Sequence, residues 1–155
     1  MPEDEESLLV TVKALRGRGV AVAIMRQVAS QRRDIPKTLA RAELFDEEVS
    51  EVGIPVEEHA QFTQRSNEMI DRVIAASPGV IDLDPIPYLS RDGRCIAEES
   101  GRALYYDYQH LTRFGAAFLT PMFESMMRSV APHRADTQHR PVSAAGLKVI
   151  RPPVL

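Results

Sequence analysis

Asp107 and His110 stand three residues apart within residues 104–119, LYYDYQHLTRFGAAFL, in a polar turn that leads into an apolar helix. A carboxylate that accepts a hydrogen bond from one imidazole nitrogen fixes the tautomer. The other nitrogen can then take a proton from a hydroxyl. Thr112 is the expected N-cap, because its hydroxyl can accept from the orphan N–H groups of a first helical turn. Gly115 and Ala116 carry almost no side chain, so the start of that helix can pass close to another backbone. The turn therefore offers an orienting acid and a base, and lacks the group on which the base would act. Taken alone, an Asp-x-x-His pair is more often two solvated surface residues.

The elements that must position this turn follow from periodicity. Residues 4–16 read as a helix, with Leu8, Leu9, Val12 and Leu15 on one stripe, acidic residues at its start, and Lys13 and Arg16 at its end. Gly17 and Gly19 end it. Val20 to Met25 is a short apolar run that fits a parallel strand buried on both faces. A short helix is expected from Leu39. The longest helix is expected over residues 55–76, with Pro55 at its first position and Ser77-Pro78-Gly79 as its stop. Val80 to Leu83 is the second strand. Residues 86–103 read as a loop with a turn at Asp92-Gly93 and room for a hairpin. The last helix is expected from Arg113 to Val130, with Phe114, Phe118, Met122 and Met126 facing the core and Pro121 kinking it. Residues 1–131 form the domain, and 132–155 read as a poorly ordered tail.

Other titratable groups read more simply. His59, beside Glu57 and Glu58, is expected on a helix surface. Asp82 and Asp84 fit capping or a turn. Arg26, Arg32 and Arg33 could face an anionic substrate, but a solvated loop is the plainer reading. Cys95 is expected as a small buried apolar residue. No metal-ligand spacing and no phosphate-cradling glycine loop occurs.

A length of 155 residues allows one domain at most, and 44% hydrophobic with 26% charged residues is ordinary globular composition. A net charge of −3 offers nucleic acid no electrostatic footprint. No apolar run approaches the ~18 residues of a membrane span. The acidic start, MPEDEES, is unlike a signal peptide, so the chain as written is expected in the cytoplasm.

Tyr105-Tyr106-Asp107-Tyr108-Gln109-His110-Leu111-Thr112, followed by Gly115-Ala116, resembles the last block of SGNH/GDSL-type hydrolases. The form most like it is fused to membrane acyltransferases that O-acetylate bacterial surface polysaccharide. There the block reads roughly lYyD-x-x-HLS-x-x-GA, with Ser where this chain has Thr112. Upstream, GRGVAVAI at 17–24, Asp34-Ile35-Pro36, Leu39-Ala40-Arg41 and Val80 to Pro85 resemble further family segments in order. The likeness covers about residues 5–130.

The resemblance implies an α/β fold: the C-terminal part of a three-layer α/β/α sandwich with a parallel sheet, mostly helical in this stretch. It implies an esterase or O-acyltransferase in which His110 is the base and Asp107 its orienting acid. It implies no metal or organic cofactor; an acyl donor and a polysaccharide acceptor would be substrates, and a membrane acyltransferase domain the partner. The family domain normally faces the periplasm or cell exterior. Two departures stand out. The family's cysteine pair is missing, which leaves Cys95 alone, and the first strand runs into Arg26-Gln27-Val28-Ala29 instead of a proline-containing segment. No Gly-Asp-Ser block occurs, and Asn67, the only Asn, lies in a helix-like run, so the nucleophile is expected from elsewhere and the chain alone is expected to be inactive. A non-catalytic remnant or interaction module of the same fold, or an unrelated α/β binding domain, would fit the same residues. With two strands, the sheet keeps an unpaired edge, so the chain is expected to be marginally stable or to pair through that edge.

Overall fold

In the computed structural model, which describes residues 2–47 and 52–130, two three-residue strands pair in parallel at the centre. These are β1 (Ala23–Met25) and β2 (Ile81–Leu83), with Ala23 opposite Ile81 and Met25 opposite Leu83. Parallel pairing needs a long crossover. Here it contains α2 (Ile35–Phe45) and α3 (Val56–Ala75), while α1 (Pro2–Arg16) precedes β1. After β2 come a 3-10 turn at Ile86–Tyr88, two small hairpins, and the helices α4 (Arg113–Ala117) and α5 (Thr120–Val130). The chain is thus α/β with a parallel sheet, and mostly helical.

Alternation along β2 sets the layers. Ile81 and Leu83 pack into a cluster with Ile35, Leu89, Leu104, Tyr105, Leu119 and Met122. Val80 packs on the other side with Val12 and Val73, joined by Leu8, Leu9, Val22, Ile24 and Ile74, so α1 and α3 cover that face. Phe114, Phe118 and Met126 line the first cluster beside Met122, as their four-residue spacing predicts. Arg72 of α3 binds Glu5 of α1 at 2.8 Å, and Arg16 donates to the Gly79 carbonyl at 2.9 Å.

Several expectations change. Val20 is exposed, and along β1 Ala23 and Met25 are exposed while Ile24 is half-buried, so the strand is covered on one face only. The layer over β2 does not extend across β1. Helix α2 begins at Ile35, earlier than expected, because Asp34 caps it by accepting from Lys37 N–H at 3.1 Å and Pro36 suits the first turn. Residues 90–103 hold two hairpins, β3 (Ser90–Arg91) with β4 (Arg94–Cys95) and β5 (Glu98–Glu99) with β6 (Arg102–Ala103). Asp92 (φ 49°) and Gly93 (φ 77°) turn the first, and Ser100 and Gly101 the second. The C-terminal helix breaks where a kink was expected. Phe118 and Leu119 form a turn, and Pro121 sits in the first turn of α5, where its missing N–H leaves no bond unmade.

His59 is buried, 5% exposed, contrary to the surface position expected from its charged neighbours. Its side of α3 is the inward one, shared with Thr63, Ile70 and Val73. Arg32 and Arg33 line one cavity, and Arg26 lines another. Arg26 binds Asp82 at 2.7 Å and Asp71 at 2.5 Å, and Arg32 binds Glu58. Asp84 makes a turn, as expected, accepting from Ile86 N–H at 3.0 Å. Among the described residues no helix is long and apolar enough to cross a membrane. The tail expected over 132–155 lies outside the described residues.

Candidate functional site

The turn that holds Asp107 and His110 is closed at its base and anchored from below. Tyr105 and Leu111 form an antiparallel bridge, and Thr112 N–H donates to the Leu104 carbonyl at 2.8 Å. Leu104 and Tyr105 are fully buried, which fixes the turn to the core. Thr112 caps α4 by accepting from Gly115 N–H at 3.0 Å. At Gly115 an added Cβ would lie 2.2 Å from the Leu104 carbonyl oxygen, so this close crossing of backbones requires glycine.

The segment leaving β1 clamps the outer side of the turn. Gln31 N–H donates to the Tyr108 carbonyl at 2.6 Å, and Ile35 N–H to the Asp107 carbonyl at 3.2 Å. Nothing in the spacing of Gln31 and Ile35 announces this role, since both donate through backbone groups 70 or more residues away in sequence.

Within the turn, Asp107 Oδ1 accepts from the N–H groups of Gln109 and His110, each at 2.8 Å. Asp107 Oδ2 lies 2.7 Å from His110 Nδ1. The backbone N–H of Gln109, then that of His110, and then the imidazole hold the Asp107 carboxyl down at about 2. A carboxylate ionised at neutral pH can only accept, so Nδ1 carries the proton and donates. Nε2 is left as the basic nitrogen, with no hydrogen-bond partner among the described residues. The His110 side chain is 54% exposed. Its ring stacks on Tyr106, with centroids 5.4 Å apart and planes 14° from parallel. Sequence shows Tyr106 only as part of the family-like block; its stacking on His110 depends on the turn bringing positions 106 and 110 face to face.

The structure thus brings Asp107 and His110 into contact and leaves Nε2 open to an incoming group. It does not bring a hydroxyl to Nε2 among the described residues. Cys95 is fully buried, and burial pushes its thiol up to about 11, so it stays a neutral packing residue. Asn67 lies within α3, donating through Nδ2 to Thr63 Oγ1 at 3.1 Å. No group of three or more His, Cys, Asp or Glu positioned for a metal ion is found among the described residues.

A family model described as SGNH domain (fused to AT3 domains) matches residues 2–125. No curated protein and no solved structure gives a significant match.

Proposed function

This chain belongs to the family of SGNH domains fused to AT3 domains, and from that membership we propose that it carries the acid–base pair of an acyl-transfer centre. The observation that supports this reading most directly is the Asp107–His110 bond, which leaves Nε2 open beside solvent.

In the proposed reaction, His110 Nε2 takes the proton of a serine hydroxyl as its oxygen attacks the acyl carbonyl. Asp107 holds the ring and favours the imidazolium so formed. The imidazolium then returns the proton to the departing alkoxide, leaving an acyl-serine and a free alcohol. In the second half, His110 deprotonates an incoming hydroxyl, which takes the acyl group and regenerates the serine. Water as acceptor gives ester hydrolysis, and a sugar hydroxyl gives O-acylation. Acetyl groups on cell-surface polysaccharide are the proposed substrate, and a membrane acyltransferase domain the proposed partner. The serine comes from a segment outside this sequence, which contains no Gly-Asp-Ser.

The test is turnover of p-nitrophenyl acetate by an assembly that joins this chain to a Gly-Asp-Ser segment. His110→Ala is expected to lower kcat about a thousandfold or more, and Asp107→Asn to lower it strongly with KM little changed, as in other triads. A loss of less than about tenfold for His110→Ala would remove it from the mechanism. One observation favours a second reading, a non-catalytic interaction module. The two backbone bonds from Gln31 and Ile35 make the turn a brace between β1's exit and the core, whether or not His110 moves a proton.

A further inference from the structure

A cavity of about 200 Å³ is lined by Arg26, Val56, His59, Ala60, Asn67, Asp84 and Ile86. Arg26 directly follows β1 and Asp84 directly follows β2. The cavity therefore lies at the carboxyl ends of the parallel strands, where open α/β sheets take their ligands. It shares no residue with the Asp107–His110 turn.

Two of its polar atoms are unsatisfied. His59 is 5% exposed, yet its Nδ1 is buried without a hydrogen-bond partner, and so is Asn67 Oδ1. Buried polar atoms are nearly always bonded, because leaving one unmade costs about 1–3 kcal/mol. Two on one cavity call for an occupant that bonds to both.

The chemistry of the lining selects that occupant. The Arg26 guanidinium binds Asp82 and Asp71 through Nε and Nη2, so two carboxylates offset its single charge and Asp84 adds a third. Asn67 Oδ1 can only accept. Asp84 uses Oδ1 for Ile86 N–H and keeps Oδ2 as an acceptor. Burial pushes His59 down, against a smaller opposing pull from Asp84, so its ring stays neutral at pH 7 and offers a further acceptor nitrogen. Three acceptors therefore remain for a donor-rich guest: the charged Asp84 Oδ2, Asn67 Oδ1 and, in the Nε2–H tautomer, His59 Nδ1. Val56, Ala60 and Ile86 supply apolar wall, and the volume far exceeds the ~30 Å³ share of one water. We propose that this cavity binds a primary alkylammonium group, its three N–H donors meeting Asp84, Asn67 and His59 and its carbon stem lying on Val56, Ala60 and Ile86.

The experiment follows the His59 ring by long-range ¹H–¹⁵N NMR of the full chain, titrated with n-butylammonium chloride at constant ionic strength. A saturable one-to-one shift of the His59 signals is expected, absent with n-butanol and with tetramethylammonium. Asp84→Asn keeps an oxygen for the Ile86 turn but removes the charge, and is expected to weaken binding about tenfold or more, as for loss of a charge-assisted bond. Asn67→Asp is expected to tighten it. No saturable shift, or equal shifts from n-butanol, would overturn the proposal in favour of a water-filled or merely apolar cavity. Equal shifts from tetramethylammonium would overturn it in favour of diffuse charge attraction.

Discussion

At the scale of single residues, Asp107 is tied to the folded state by its proton affinity. Its carboxyl sits at about 2 in the fold against an ordinary 3.8. The folded chain therefore holds the charged form more tightly than the unfolded chain does, and this contribution is present above 3.8 and lost as pH falls towards 2. Asp107→Asn is expected to flatten the fall of the urea midpoint in that window; an unchanged acid slope would refute it. His59 acts in a higher window. Burial lowers it from 6.5, so the folded chain resists the proton that the unfolded chain accepts. Stability is full above 6.5 and declines as pH falls below it, and His59→Gln is expected to remove that decline. Gly115→Ala would force a methyl to 2.2 Å from the Leu104 carbonyl oxygen and is expected to cost about 1–3 kcal/mol in chemical denaturation.

The short helix α4 shows what an element contributes. Five residues form no stable helix alone. The Thr112 hydroxyl satisfies Gly115 N–H at its start and also reaches the Ala103 carbonyl at 3.0 Å. Thr112→Ala is expected to destabilise by about 1 kcal/mol, and Thr112→Ser, which keeps the hydroxyl, by much less. Equal losses in both variants would assign the effect to the threonine methyl instead of the cap. The helix was legible in sequence through Thr112 and the small pair Gly115-Ala116. Its separation from α5 was not, because the choice between kinking and breaking at Pro121 rests on how Leu119 and Met122 pack into the core.

At the scale of the whole molecule, β1 is the weak side. Ala23 and Met25 are exposed, and no third strand pairs with β1 or β2 among the described residues. A two-stranded sheet with an open edge invites another strand. The chain is expected to sediment as a concentration-dependent mixture, or to unfold broadly. A strictly monomeric species with one sharp thermal transition would contradict this.

Local signals were enough to identify the two parallel strands, the long helix, the Asp92-Gly93 turn, the Thr112 cap and the spacing of Asp107 and His110, because each depends on neighbours within a few positions. The family likeness came from the same short blocks, and the family match over residues 2–125 bears it out. Tertiary structure alone decided that His59 faces inward, that Arg26 and Arg32 bind carboxylates, that one face of β1 is bare, and that Gln31 and Ile35 hold the Asp107–His110 turn. These outcomes join residues tens of positions apart. Which groups meet there depends on how helices and loops pack across the sheet, and no local periodicity encodes that packing.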